Sequence, residues 1–591
     1  MFLRRNHPVE VLVLTAMFLV PPLRSKEVFA QDSQSKNADR ISGVVVNSVT
    51  HEPIAGALVV GDGERFAALT DHNGRFEFTF AQTPADKGSA AGSSVVGSAG
   101  TANRSYGPQV LQARKPGFLD DQNDPALISS SIPGGKDVTI SLVPEARIVV
   151  HVALPTSEPP DPIEVEIYKR QVRNGRAHWV SAGVQASRSN GESRFSELSA
   201  GTYKLLTHEL MDRDPQASAP GGQAYGYAPV YFPDANGFAS AGTIELTAGK
   251  TVHVNLSLVK QAYYPVKVPV VNAPPGVPLS IKVSVQGRDG PGYALGYIRR
   301  EQAIEGLLPN GSYRLEAVSY RPSVVSGAAN ITVRGPVEGP ILTVVGGATI
   351  DVHVKEEIAT PSRQGEMWTS GPRGNLKVQG VRSDVNLMIE PVDDFGRQIP
   401  ISLRPPSGPQ DDSLVVQSVP LGRYWVQVMP NRGYASSVTS GGVDLLHKPL
   451  VVSASGSVDP IEITLRDDSA ELEGIVEDPN NIPSGTLNAS TTEPASQNTI
   501  ALRTPKGHVY CIPLPDSSGR FTQWQVYEDG KLTMVSLPPG AYRLLAFRLP
   551  QPDLEYENPE AMRAFDGKGE VVRLVAGQKE RVQLQFISAS E

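Results

Sequence analysis

The sequence predicts an all-β chain, built as a tandem array of about five β-sandwich domains. Three observations predict it. The first is a phrase written four times: Leu198-Ser199-Ala200-Gly201-Thr202-Tyr203-Lys204-Leu205, Leu308-Pro309-Asn310-Gly311-Ser312-Tyr313-Arg314-Leu315, Val419-Pro420-Leu421-Gly422-Arg423-Tyr424-Trp425-Val426 and Leu537-Pro538-Pro539-Gly540-Ala541-Tyr542-Arg543-Leu544. Each reads as a tight turn feeding a strand, with Gly giving backbone freedom and Pro pre-setting the bend. The second is the spacing of the glycines, 110, 111 and 118 residues, one sandwich-sized domain per copy. The third is period-two alternation around these phrases, as in Thr243-Ile244-Glu245-Leu246 and Val252-His253-Val254-Asn255-Leu256.

Composition agrees. With 591 residues, 40% apolar and 20% charged, the chain can build several cores. Its 50 prolines and 55 glycines fit many turns between short strands. The formal charge of −8 and the lack of a basic stripe argue against nucleic acid as a partner. Residues 1–30 read as an export signal: Arg4 and Arg5, then an apolar run from Val11 to Val20 broken only by Thr15, then Val28-Phe29-Ala30 as a cleavage site. Ten apolar residues are too few to span a bilayer, which needs about twenty. No later segment reaches that length, so no membrane span is expected after signal cleavage. The expectation is an exported chain, periplasmic, at the cell surface or extracellular. Cys511 is the sole cysteine, so internal disulfides are impossible and cohesion rests on the cores. Its place in Val509-Tyr510-Cys511-Ile512 makes it a small core residue.

In chain order, the first domain occupies 41–144. Ile41 to Val46 and Ile54 to Val60 read as strands. The turn Asp71-His72-Asn73-Gly74 then feeds Arg75-Phe76-Glu77-Phe78-Thr79-Phe80, whose phenylalanines share one face. Gly43, Val45, Pro53, Ile54, Gly56, Ala57 and Val59, followed by Thr70, Asp71, Gly74, Phe76 and Phe78, resemble the motif of the carboxypeptidase regulatory-like domain. That resemblance implies a transthyretin-like (prealbumin-like) sandwich without catalytic activity, and more loosely transthyretin-like or immunoglobulin-like sandwiches for the later domains. This stretch departs from the family in carrying a Gly/Ser/Ala-rich insert from Lys87 to Ala102 in place of its own Tyr phrase. Further sandwiches are predicted over 145–260, 261–355, 385–466 and 467–588, the third ending on Ala348 to Val354. Residues 356–384 read as a linker, within which Leu376-Lys377-Val378 can pair. Pro559 to Phe565 is the one stretch that reads as helix.

The search for chemistry returns little, and the sequence predicts a non-enzyme with no catalytic residue, metal site or cofactor. None of the ten histidines sits in H-E-x-x-H, and neither a G-x-S-x-G elbow nor a phosphate-binding G-x-x-x-x-G-K-[ST] loop occurs. H-x-x-E occurs as His7 with Glu10 inside the export signal, and as His353 with Glu356, which a continuing strand sends to opposite faces. His151, His253 and His353 each alternate with valines, as solvent-facing strand positions do. Asp71 opens a calcium-loop pattern, but the twelfth position is Gln82 where a bidentate Glu is needed. The four phrase tyrosines read as tyrosine corners, hydroxyls tying a strand to its crossover, rather than as ligand platforms.

The most ligand-like stretch is Tyr225-Gly226-Tyr227-Ala228-Pro229-Val230-Tyr231-Phe232-Pro233. Tyr225, Tyr227, Tyr231 and Phe232 are candidate ligand-binding residues, because flat rings on a loop stack on sugars and peptides. Packing on their own sandwich is the competing reading. Two functions follow: a structural, adhesion or interaction scaffold with a protein or polysaccharide partner at the cell envelope, or a carbohydrate-binding protein, for which these rings must be exposed.

Overall fold

The computed structural model describes residues 38–61, 66–81, 111–120, 137–153, 162–211, 222–235, 237–285, 288–359, 367–371, 374–378, 385–392, 400–408, 411–453, 457–477, 506–515, 517–527 and 529–587. The predicted export signal, most of the Gly/Ser/Ala-rich insert and Gln82 lie outside them. The chain divides into two compact units, residues 1–40 with 79–107 and residues 41–78 with 108–591. Of the first, only 38–40 and 79–81 are described, both as strand.

Almost every described element is a strand, as predicted, with one short helix at Pro559–Met562 that is capped by Asn558. One wiring rule recurs. Four of the five sandwiches open with an alternating strand that pairs in parallel with the last, and in the third it pairs in parallel with two short strands just before the last. Ala146–Ala153 buries Ala146, Ile148, Val150 and Val152 and pairs with Thr251–Ser257. Ser42–Asn47 pairs with Asp137–Leu142, and Ala470–Glu477 with Lys579–Gln585. Parallel partners enter and leave at opposite ends, so each sandwich hands the chain on from the end opposite its entry. The joints are short, with Glu145 alone between Pro144 and Ala146. Inward faces supply the cohesion, since each fully buried Ile, Leu or Val contributes about 1.5–3 kcal/mol.

One predicted boundary is corrected. Ala348–Glu357 does not close the third sandwich. It pairs in parallel with Ile461–Arg466, and Ala348, Ile350 and Val352 lie in one core with Leu387, Ile389, Val416 and Ile463. It is the opening strand of the fourth sandwich. The third is closed instead by Val337–Glu338 and Leu342–Thr343, which pair with Lys260–Val271, and then by Val345–Gly346. Inside the stretch read as a linker, Met367–Gly371 pairs with Gly374–Val378.

The repeated phrase makes the same corner four times. The hydroxyls of Tyr203, Tyr313, Tyr424 and Tyr542 donate to the carbonyls of Ser199, Pro309, Pro420 and Pro538 at 2.7, 2.9, 2.8 and 2.6 Å. All four rings are buried. The bond satisfies a turn carbonyl that the corner takes away from water. In three copies a bulge precedes the corner, with Glu197, Ser418 and Ser536 at φ 57, 61 and 61 and a register slip beside each. The extra residue bends the strand out of the ladder toward the turn. The second copy, in the third sandwich, runs into its corner without a slip, Tyr263↔Pro309 through Pro269↔Ala303.

In the first sandwich the motif residues act locally. Thr70 Oγ1 donates to the Ile54 carbonyl at 2.6 Å and accepts from Ala57 N at 2.8 Å, lashing the Pro53–Ala57 turn to the next strand. Asp71 Oδ1 accepts from Asn73 N and Arg75 N, and these bonds, the one from Arg75 foremost, hold its carboxyl below the usual range. The carboxylate is committed to its own turn.

Candidate functional site

Two junctions between sandwiches hold buried or half-buried carboxylates, Glu209 at one and Glu390 and Glu555 at the other. The first contains the aromatic stretch. Ala224–Tyr227 is a strand, and it pairs with Lys260–Tyr263, the start of the third sandwich's opening strand. Leu210–Met211 pairs on its other side. A segment between two strands of the second sandwich thus extends a sheet of the third. Gly226 allows the close approach, since a Cβ there would sit 2.9 Å from both the Leu210 carbonyl and the Tyr263 ring.

Of the two readings of these aromatics, exposed platform and packing on the sandwich, most of the rings follow the second. Tyr227 is 6% exposed in the second sandwich's core, where Phe232 packs half-buried. Tyr231 is 4% exposed, against Tyr168, Leu206 and Phe238. Only Tyr225, at 41%, faces solvent, with the Lys260 ammonium 5.4 Å from its ring centroid. A run of aromatics looks alike whether it faces water or a neighbouring sheet.

Beside this strand lies Glu209. Its Oε1 accepts from Ala294 N of the third sandwich at 2.9 Å. Its Oε2 is shut off from solvent and has no hydrogen-bond partner among the described residues, as is true of the Tyr263 hydroxyl. Burial pushes the Glu209 carboxyl up to about 7, outweighing the Ala294 bond and the charge of His208 that pull it down. Burial and then the Glu209 charge likewise hold the Tyr263 phenol high, and Tyr293, edge-on to Tyr313 at 5.4 Å, is pushed up to about 12. His208 bonds Glu166 at 2.8 Å, and Ser181 bonds the other Glu166 oxygen at 2.6 Å. The arrangement places a proton-binding carboxyl between the second and third sandwiches.

The second junction is a clasp. Strands Glu164–Arg173 and Arg176–Ala186 meet at Asn174-Gly175, with φ 49 and 72, the two-residue turn that matches strand twist. Its tip reaches the fourth and fifth sandwiches. Arg173 lies 3.0 Å from Glu390, and Asn174 Nδ2 and Gln427 Nε2 donate to the other Glu390 oxygen at 2.9 and 3.1 Å. The Arg176 guanidinium sits 3.8 Å from the Trp425 ring centroid and pairs with Glu557 at 2.9 Å. Arg170 pairs with Glu555. Glu557 N donates to the Gly175 carbonyl at 3.1 Å, and Tyr556 lies over Gly175 while stacking on Phe521 at 3.9 Å. Glu390 is 5% exposed, so these partners replace the water its carboxylate has lost. At Glu555 burial works to raise the carboxyl, and the Arg170 and Asn558 bonds outweigh it, holding the group below the usual range. The sequence carried a mark of this tip in Asn174-Gly175, flanked by Arg170, Arg173 and Arg176, which the search for known chemistry passed over.

The remaining candidates do not assemble. His151, His253, His353 and Glu356 are exposed strand residues. Among the described residues no group of three His, Cys, Asp or Glu is placed to hold a metal, and no helix is long and apolar enough to cross a membrane. Cys511 is fully buried, with burial pushing its thiol up to about 12.

No protein-family model and no curated protein matches the chain, so the carboxypeptidase regulatory-like resemblance finds no confirmation there. Among solved structures, the Bacillus anthracis TIE protein is 11% identical over 78% of this chain and 78% of its own, with a TM-score of 0.13. GBS52, the minor pilin of Streptococcus agalactiae, is 15% identical over 37% of this chain and 95% of its own, at 0.16. Two B repeat units of the Staphylococcus aureus collagen binding protein are 9% identical over 75% of this chain and all of their own, at 0.13. Likenesses this distant give the chain neither a family nor a function.

Proposed function

We propose that the chain is an exported, non-catalytic scaffold of five β-sandwiches, acting at the cell envelope in structure, adhesion or interaction with a protein partner. The observation that carries this reading is the pair of junctions. Polar and aromatic groups that an enzyme would direct into a cleft here fasten one sandwich to another. The export pattern of residues 1–30 supports the compartment, and the motif of residues 41–144 supports a carboxypeptidase regulatory-like first domain. The sandwiches are taken as 41–144, 145–260, 261–347, 348–466 and 467–588.

The test sets residues 31–591 against a polysaccharide array beside a Tyr225→Ala variant, Tyr225 being the exposed ring of the candidate set. The scaffold reading expects no saturable binding by either. Saturable binding by the wild type, lost in a variant with an unchanged circular dichroism spectrum, would replace it with carbohydrate recognition.

A further inference from the structure

We propose that the basic hairpin tip, Arg170 to Arg176, and the acidic cleft that receives it form an interface between copies of this chain, closed within one copy in the present structure. The tip comes wholly from the second sandwich. The cleft comes wholly from the fourth and fifth, through Glu390, Trp425, Glu555, Tyr556 and Glu557. A second copy's tip can therefore make every contact that the chain's own tip makes.

Charge complementarity selects the partner. Three arginines on one hairpin meet three carboxylates, with a guanidinium-on-indole contact between them and a main-chain bond from Glu557 N to Gly175 O. Such pairing sets register and orientation, and it discourages tip–tip and cleft–cleft encounters through like charge. The two faces differ, so the contact is heterologous. Between copies it propagates into a ring or a filament, and within one copy it closes on itself.

The covalent path between tip and cleft passes through the joint from the third to the fourth sandwich. Gly347 lies there, between strand Val345–Gly346, which pairs with Val325 and Ser326, and strand Ala348–Glu357. This joint is tied by Gly347 N to the Val324 carbonyl at 2.8 Å and by Leu421 N to Ser326 Oγ at 2.9 Å. The second and third sandwiches share a sheet across their joint, so opening is assigned to the joint at Gly347. Closure within one chain has the advantage of effective concentration at low protein levels, and crowding of chains on a surface favours the exchange.

The experiment uses two full-length mature variants of residues 31–591. The tip variant carries Arg170→Glu and Arg176→Glu, and the cleft variant carries Glu555→Arg and Glu557→Arg. Neither can close on itself or on its own kind without opposing like charges. Mixed, the tip of the second fits the cleft of the first with every native pair restored. Sedimentation velocity is expected to show each variant alone as a folded monomer slower than wild type, and an equimolar mixture as a species of at least twice the monomer mass that dissociates in high salt. A mixture that stays monomeric while both variants sediment as opened chains overturns the proposal. Variants that sediment as wild type overturn it too, since the ion pairs would then not hold the clasp. Should the double cleft variant fail to fold, Glu557→Arg with Arg176→Glu repeats the test at partly exposed positions.

Discussion

Replacing Glu209 by Gln removes this carboxyl's share of the pH dependence at the joint between the second and third sandwiches. The carboxyl is held near 7 instead of 4.5 by burial, with one oxygen on Ala294 N and the other unpartnered among the described residues. The gap corresponds to about 3 kcal/mol at roughly 1.4 kcal/mol per pH unit. The folded pKa is raised, so the contribution is fully present below 4.5, where both states bind the proton. It declines between 4.5 and about 7 as the opened chain ionises first, and above 7 the folded state carries a buried charge. Gln keeps the acceptor for Ala294 and cannot ionise. Global unfolding of a multi-domain chain is not two-state, so the readout is local. Amide hydrogen exchange of strands Ala224–Tyr227 and Lys260–Val271, compared between wild type and variant, cancels the intrinsic pH dependence of exchange. Protection should match near pH 4.5, and the variant should be more protected by up to about a hundredfold at pH 8. Parallel profiles from pH 4.5 to 8 would show that Glu209 is solvated and would refute the reasoning.

Three further outcomes follow from the packing. Tyr542→Phe removes the donor to the buried Pro538 carbonyl and should cost the fifth sandwich about 1–3 kcal/mol, read from chemical denaturation of the full chain followed by exchange at strand Gly540–Phe547; a change below about 0.5 kcal/mol would remove the corner bond from the account. Gly175→Ala should open the clasp without unfolding the second sandwich, because φ is 72 and the new Cβ would meet the Tyr556 ring at 2.5 Å; the sedimentation coefficient falls if this is right and is unchanged if Tyr556 simply swings aside. Cys511 should stay unreactive toward a thiol reagent at pH 8 until the fifth sandwich unfolds, and reaction of the native chain would contradict its burial.

What the sequence made legible was local. Gly and Tyr two residues apart define a corner whose bond spans only four residues, so the phrase could be read at sight and its chemistry followed. Asp71 to Gly74 was legible for the same reason. The assignment of Ala348–Glu357 was not, because a parallel pairing with Ile461–Arg466 leaves no mark within either strand. Alternation in 348–354 announces a strand and says nothing about which core it faces. Tyr225 to Phe232 read as loop aromatics because Gly226, Pro229 and Pro233 surround them, yet the extension of a neighbouring sheet is set by strand edges far apart in sequence. The clasp is further still from view: Arg173 and Glu390 are brought together by the courses of whole sandwiches.

The second sandwich grips the fourth and fifth through the clasp. Spin labels on Gln171→Cys and Glu560→Cys, both exposed positions beside the clasp, measure it directly, since the native thiol of Cys511 is buried. The account predicts one short, narrow distance distribution at low salt that broadens and lengthens at high salt. A long or broad distribution at low salt, in a chain whose sandwiches are intact by circular dichroism, would contradict it.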